Sequence, residues 1–295
     1  MNYNNFKKIF SYLDSSSIFI LNSITLLPIV FFLPKNKKII VINRETLLNK
    51  LQYFFYSIFL QKYINLIFFI SLKELDSFKN LSISKAFLPD FYNYKLINII
   101  NKNTKTSSYD IIFLGGDNYI KGLDILLKAL IFGKLYNLRI AIFGFSNRKY
   151  SFSFFKPWKW KDYLFLKFIN DNLSKFNFIN IFSYSNQVEN YIFNSEILVF
   201  SSRYPHQSRP FIEAGILKTP VIISNFKKTN DIYINEFNCL TFNPKSYKDL
   251  ANQINKLLSD HSLRNRVISN NYIFNLNRSK IDYYSTFLIK KINEL

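Results

Sequence analysis

The sequence predicts an α/β protein with parallel β-sheets, divided into two domains. Short apolar runs rich in β-branched and aromatic residues alternate with longer segments of helical periodicity. The chain has 295 residues, more than a single domain usually holds. A polar stretch without hydrophobic periodicity, residues 101–108, is typical of a linker. We therefore predict one domain at 1–100 and a second at 109–295.

The first domain opens on a segment with two interpretations. Residues 16–33 are apolar enough to consider as a transmembrane helix, but Asn22, Ser23, Thr25 and Pro28 interrupt them. A strand at 18–21 followed by a buried helix explains the same segment, and the polar interruptions favour this reading.

The rest of the first domain shows the βαβ alternation. Residues 38–43 form an apolar strand pattern, 46–61 a helix and 66–71 a second buried strand. Residues 87–92, marked by a proline, form a loop after a further short strand.

Charge and cysteine content narrow the class of partner. The net charge of +20 favours anionic partners, which are nucleotide phosphates, acidic lipid surfaces or nucleic acid. Nucleic acid is not expected, because no recognition motif appears and the lysines are dispersed. The single cysteine, Cys239, excludes an internal disulfide and fits a reducing cytoplasm.

Residues 151–161 combine aromatic and basic side chains. Such a segment is either a contact with the membrane interface or a loop whose aromatic residues pack beneath it. The abundance of phenylalanine throughout the chain favours the loop.

The second domain begins with a strand at 111–114 that runs into Gly115-Gly116. Lys121-Gly122 then opens an amphipathic helix. Glycines after a strand let a phosphate approach the backbone, and a lysine at a helix entrance supplies charge. The pattern matches neither G-x-G-x-x-G nor a P-loop, so a tight turn with a solvated lysine explains it as well.

The strongest local pattern lies at residues 197–225. It reads as a strand at 197–200, a polar loop at 201–209, a helix at 211–217 and a strand at 220–223. The loop carries hydroxyls, His206, Gln207 and Arg209 just before a helix N-terminus, which suits a diphosphate. Glu213 is expected in the first turn of that helix, facing the crevice. Further strands are predicted at 138–144 and 179–182, and further helices at 162–176, 188–194 and 249–258.

Taken in order, these segments resemble a known family. Residues 109–270 are similar to the nucleotide-sugar-binding domain of retaining GT-B glycosyltransferases of family four, through IIFLGG, IKGLDILLKAL, LRIAIFG and RPFIEAGILKTPVIIS. The resemblance implies a GT-B-like α/β fold of two Rossmann-type domains with parallel sheets, the N-terminal one incomplete.

The resemblance also implies roles for individual residues. Gly115, Gly116 and Lys121 would hold the donor diphosphate, together with the loop residues Ser208 and Arg209. Glu213 would bind the donor ribose hydroxyls.

The chain departs from the family pattern at the candidate catalytic positions. The first glutamate of the family's E-x7-E motif falls at Pro205, and His206 is either a variant of that motif or a solvated loop histidine. In the first domain, Glu45 either polarises an acceptor or caps a helix. No catalytic residue is assigned beyond these two candidates.

The implied activity is transfer of a sugar from a nucleotide-diphosphate sugar to a glycan or lipid-linked acceptor, with retention. No cofactor and no metal are expected, and no Asp-x-Asp pair occurs. The partners would be the nucleotide-sugar, the acceptor and an anionic membrane surface, in polysaccharide biosynthesis for the cell envelope at the inner face of the membrane. The family's opening strand with its glycine-rich acceptor loop is missing, so a non-catalytic remnant that at most binds nucleotide-sugar is the alternative.

Overall fold

The computed structural model describes residues 18–33, 37–45, 47, 50–88, 90–92, 95–146, 160–205, 208–278 and 281–295. The chain forms two compact units. The first holds the residues up to Asp90 together with Asp282–Leu295, and the second holds Phe91–Ile281. This division differs from the predicted one, because the boundary precedes the linker and the C-terminal helix belongs to the first unit.

The first unit contains a parallel sheet. Its strands are β1 (Ile18–Leu21), β2 (Lys38–Asn43), β3 (Leu66–Phe69) and β4 (Ser84–Phe87), in the spatial order β1-β2-β3-β4. Its helices are a 3₁₀ helix at Ile24–Phe32, α1 (Lys50–Tyr63) and α2 (Leu72–Ser77), and the C-terminal helix is named below.

Alternate residues of β2 pack on opposite faces of this sheet. Ile39 and Val41 face the 3₁₀ helix and α1, whereas Ile40 and Ile42 face the C-terminal helix. This two-sided burial explains why the strand is apolar along its length.

The described part of the segment 16–33, residues 18–33, is a strand followed by a 3₁₀ helix and not a membrane-spanning helix. Ile24, Leu27 and Val30 are the buried residues of that helix, and their spacing of three matches its three residues per turn. Across the described ranges, no helix is long and apolar enough to cross a bilayer.

The second unit contains a larger parallel sheet. Its strands are β5 (Tyr109–Leu114), β6 (Arg139–Phe143), β7 (Phe178–Phe182), β8 (Ser195–Phe200), β9 (Val221–Ser224) and β10 (Leu240–Phe242), in the spatial order β10-β9-β8-β5-β6-β7. Its helices are α3 (Lys95–Lys102), α4 (Leu123–Phe132), α5 (Trp160–Leu173), α6 (Val188–Phe193), α7 (Arg209–Ile216), α8 (Tyr247–Ser259) and α9 (His261–Arg278). The C-terminal helix, α10 (Ile281–Asn293), belongs to the first unit from Asp282 onward. Short 3₁₀ helices lie at Tyr119–Lys121 and Lys227–Thr229.

Helices cover both faces of this sheet. Ile111 and Phe113 of β5 pack into a core with α4 and α8, and Ile112 packs into the opposite core with α7. The predicted α/β class with parallel sheets is confirmed. The aromatic and basic residues at 151–159 lie outside the described residues.

Candidate functional site

The site lies where the strand order of the second sheet reverses. From β5 the chain adds β6 and β7 on one side, and then returns to place β8, β9 and β10 on the other. Because β5 and β8 are parallel neighbours, the loops that follow them leave the same edge of the sheet side by side. In open α/β sheets, a crevice at such a switch point is the usual ligand site.

The loop after β5 begins with the predicted glycine turn. Gly116 has a φ of +49°, and a Cβ there would lie 1.9 Å from the carbonyl oxygen of Gly144. Gly144 closes the next strand with a φ of +89°. The turns after β5 and β6 therefore touch backbone to backbone, which only glycine at position 116 allows.

Lys121 follows in the same loop, and its side chain lies over Phe200 at the end of β8. Its Nζ lies 5.1 Å from the centroid of the Phe200 ring. A Cβ on Gly115 would lie 2.5 Å from the Lys121 Cβ, so the glycine makes room for the lysine stem. Burial lowers the pKa of the Lys121 ammonium. Gly115, Gly116 and Lys121 thus form one group, and their role toward a diphosphate stays a prediction.

A buried ion pair joins the first turn of α4 to the loop after β8. The Arg203 guanidinium donates from Nη2 to both carboxylate oxygens of Asp124, at 2.7 and 2.6 Å. It also stacks 4.0 Å from the centroid of the Tyr119 ring and donates to the Tyr119 carbonyl. The Arg203 backbone N–H donates to the carbonyl of Ile120 at 2.8 Å. We did not predict this pair, because the two residues are far apart in sequence.

Two further polar contacts hold the same loops in place. The Ser201 hydroxyl donates to the Gly122 carbonyl at 2.8 Å. The buried Asp117 carboxylate accepts from the Ser146 hydroxyl at 2.8 and 2.7 Å, which links the loops after β5 and β6. Asp117 lies beside the glycine turn, and that position is the only sequence signal that could have singled it out.

The second predicted group lies at the start of α7. The Ser208 backbone N–H donates to the Tyr233 hydroxyl at 2.7 Å. Among the described residues, the buried Ser208 Oγ has no hydrogen-bond partner. The Arg209 Nε lies 3.0 Å from Glu213 Oε1. Because α7 begins at Arg209 and not at the predicted residue 211, Glu213 lies in the second turn. The prediction of a first-turn position was wrong.

Burial raises the pKa of Glu213 to about 7. The Arg209 guanidinium opposes this rise, and the carboxylate of Glu189 on α6 adds to it. A carboxyl with this pKa exchanges its proton near neutral pH, so its capacity to accept hydrogen bonds from two hydroxyl groups changes there.

The two candidate catalytic residues are His206 and Glu45. His206 and its neighbour Gln207 are outside the described residues. In the first unit, the Glu45 carboxylate accepts from the Ser23 hydroxyl at 2.6 Å and from the Ile24 N–H at 3.2 Å. Glu45 therefore caps the N-terminus of the Ile24–Phe32 helix, and its role toward an acceptor stays a prediction.

The sequence predicts no metal site. Within the parts of the chain that the structure describes, no group of three or more His, Cys, Asp or Glu side chains could hold a metal ion. That the protein acts without a metal ion stays a prediction.

Comparison with known proteins decides the family. The family model for glycosyl transferases group 1 matches residues 97–274, which is more than half of the chain. The chain belongs to this family. A search of curated proteins finds no match.

Solved structures of glycosyltransferases share the fold. HepE of Anabaena, in complex with UDP and glucose, is 13% identical with a TM-score of 0.76, over 98% of this chain and 81% of that one. Sucrose-phosphate synthase from Thermosynechococcus elongatus is 13% identical with a TM-score of 0.75, over 97% and 76%. A glycosyltransferase from Rickettsia africae is 17% identical with a TM-score of 0.71, over 99% and 80%. The α/β fold of this family member is thus that of the GT-B glycosyltransferases.

The raised pKa of Glu213 predicts a pH-dependent difference in stability. The ordinary pKa of a glutamate is 4.5, and that of Glu213 in the folded protein is about 7. Between these two pH values, Glu213 keeps its proton in the folded protein but has lost it in the unfolded chain. The wild type therefore loses up to about 3 kcal/mol of unfolding free energy as the pH rises through this range. Glu213→Gln does not titrate and escapes this loss.

Chemical denaturation at pH 5 and pH 8 measures the effect. We expect Glu213→Gln to gain stability relative to the wild type at pH 8 and to lie close to it at pH 5. An equal difference at both pH values would show that the carboxyl titrates at its ordinary pKa.

Proposed function

We propose that this protein transfers a sugar from a nucleotide-diphosphate sugar to a glycan or lipid-linked acceptor, with retention of anomeric configuration and without a metal ion. The observation that carries the proposal is the switch point between β5 and β8. There the glycine turn and the half-buried Lys121 follow β5, and the segment that leads into α7 follows β8. That HepE structures contain UDP and UDP-glucose supports a nucleotide-sugar as the donor.

In this proposal the donor diphosphate lies between Gly115-Gly116, Lys121 and the start of α7. The ammonium of Lys121 supplies positive charge in a partly desolvated position, where its interaction with an anion is stronger than in water. The Ser208 Oγ, which has no partner among the described residues, and the exposed guanidinium of Arg209 supply further donors.

Glu213 is the proposed ribose-binding residue. Its ionised carboxylate can accept hydrogen bonds from both ribose hydroxyls, while Arg209 holds one of its oxygens in place. Deprotonation is required for this bidentate role, so donor affinity should rise as the pH passes about 7.

The reaction needs a stabilised leaving group. The bond between the anomeric carbon and the diphosphate oxygen breaks, and the acceptor hydroxyl attacks from the same face of the sugar. The proton of the acceptor hydroxyl passes to the departing diphosphate. Lys121, the glycine turn and the α7 N-terminus would stabilise the charge that develops on the diphosphate, and no protein nucleophile is assigned.

The first unit would then be a reduced acceptor domain. Its described residues form a four-stranded sheet, and the resemblance places them in the later part of an acceptor domain. The same observation favours the second candidate, a non-catalytic remnant that binds nucleotide-sugar. A cytoplasmic protein at the inner face of the membrane, serving polysaccharide synthesis for the cell envelope, completes the primary proposal.

Thermal unfolding with a panel of UDP-, GDP- and ADP-sugars in EDTA tests donor binding. A ligand at 100 times its Kd adds about 2.7 kcal/mol, which should raise the midpoint by about 5–10 °C. We expect one nucleotide class to give this rise, and Glu213→Ala to abolish it.

The matched control is Glu294→Ala, which removes an exposed carboxylate of the first unit and should respond as the wild type does. A cooperatively unfolding wild type with no rise for any donor would contradict the proposal.

A further inference from the structure

Helix α1 is apolar on two sides. Its inner side packs into the core of the first unit through Leu60 and the partly buried Tyr53, Tyr56 and Phe59. Its outer side carries Leu51, Phe54, Phe55 and Ile58, whose exposed fractions are 63%, 61%, 51% and 49%. These four positions follow the i, i+3, i+4, i+7 spacing of one helical face, so they form a continuous apolar stripe that the core does not use.

The neighbouring 3₁₀ helix extends this stripe. Leu26, Ile29, Phe31 and Phe32 are exposed on its outer side, Phe32 at 73%. Phe31 makes edge contacts with Phe59 and Tyr63 of α1, at centroid distances of 5.8 and 5.5 Å. The two helices thus present one surface, which we call the apolar face. A patch of this kind on a folded unit marks an interaction site.

A cavity opens into the apolar face between the two helices. It has a volume of about 350 Å³, and its walls are almost entirely apolar. The lining residues are Leu27, Pro28, Leu51, Gln52, Phe55, Tyr56 and Phe59. Its shape and composition suit a hydrocarbon segment.

Basic residues border the apolar face, and acidic residues are missing from the helices that form it. Residues 24–33 and 50–63 contain no Asp or Glu. Lys37 and Lys62 line a second cavity of about 690 Å³ at the end of the face, together with Phe31. An apolar surface with lysines at its edge matches the boundary between the acyl chains and the phosphates of a lipid layer.

We propose that the apolar face of the first unit docks on an anionic phospholipid bilayer. The stripe of α1 and the aromatic residues of the 3₁₀ helix enter the acyl boundary, and Lys37 and Lys62 meet the lipid phosphates. Charge argues against a second copy of the chain, because pairing two such faces would bring lysines together, and residues 24–33 and 50–63 supply no Asp or Glu to offset them. The proposal does not depend on sugar transfer, so donor binding can fail or succeed separately.

Flotation with vesicles of phosphatidylcholine, with and without 30% phosphatidylglycerol, tests the proposal. We expect the wild type to float with the anionic vesicles and much less with the neutral ones. The variant Leu51→Gln/Phe54→Gln/Ile58→Gln keeps every charge, so a loss of binding cannot come from the net charge of +20. It should need at least tenfold more lipid for half-maximal binding.

Leu164→Gln is the matched control, since Leu164 is 62% exposed but lies on α5 of the second unit. It should bind as the wild type does, and circular dichroism should show all three proteins folded. Equal flotation of the triple variant and the wild type, or no flotation of the wild type, would overturn the proposal. So would a dimer of the wild type, without lipid, that the triple variant loses, because the apolar face would then join two copies.

Discussion

Asp124→Asn should lower the free energy of unfolding of the Phe91–Ile281 unit by about 3–5 kcal/mol. The substitution leaves the buried Arg203 guanidinium with the Tyr119 ring and carbonyl but without a carboxylate. An uncompensated buried charge is among the most costly changes that a single substitution can make. Denaturant unfolding, followed by a signal from the second unit, measures the loss.

The opposite change should cost less. Arg203→Met leaves Asp124 within 3.4 Å of Lys128 Nζ, so the carboxylate keeps a cation. The double variant Arg203→Met/Asp124→Leu removes both charges and should recover much of the loss, since apolar side chains can replace a buried ion pair at little cost. With the single variants Arg203→Met and Asp124→Leu, it closes a double-mutant cycle that isolates the coupling between the two residues.

An exposed ion pair provides the control for this prediction. Arg139 pairs with Asp110 at 2.7 Å, with 47% of the arginine side chain exposed. Arg139→Met should therefore cost no more than about 1 kcal/mol. Equal costs for Asp124→Asn and Arg139→Met would show that the Arg203–Asp124 pair does not hold the loops of the candidate site.

Lys121→Met should raise the Kd of a nucleoside diphosphate by roughly 10- to 100-fold. A hydrogen bond to a charged group contributes about 1.5–3 kcal/mol, and every 1.4 kcal/mol is a factor of ten in affinity. The effect should be confined to ligands that carry the diphosphate, because the proposed role of Lys121 is to bind its oxygens. Isothermal titration calorimetry with the nucleoside and the nucleoside diphosphate separates the two cases.

Lys248→Met is the matched control for this substitution. Lys248 also lies over a phenylalanine ring, with Nζ 5.6 Å from the Phe132 centroid, but it is on α8. Its replacement should leave both affinities unchanged. An equal loss of affinity for the nucleoside and the diphosphate in Lys121→Met would assign Lys121 a structural role.

Most strands of this fold could be predicted from the sequence, because parallel strands that are buried on both faces consist of continuous apolar residues. The predicted strands at 18–21 and 38–43 match the structure at both ends. Helix starts were harder to place. The predicted start at residue 211 relied on Pro210, whereas the helix begins one residue before the proline, at Arg209.

The candidate site was predictable where its residues are close in sequence. The glycines and lysine after β5 and the α7 residues follow strands directly, so their common edge follows from the parallel topology. Arg203 and Asp124 were not predictable, since only the pairing of β5 with β8 brings them together. The exposure of the apolar stripe of α1 was not predicted, because periodicity alone does not show which of two apolar sides is covered.

The release of nucleoside diphosphate tests the central claim most directly. The wild type, with the donor that raises its unfolding midpoint most, should release nucleoside diphosphate in EDTA, and addition of an acceptor extract should accelerate this release. Lys121→Met at saturating donor should release it more slowly, because the lysine stabilises the leaving group. A folded wild type that binds the donor but releases no nucleoside diphosphate, with or without extract, would contradict the transferase and identify a remnant that only binds nucleotide-sugar.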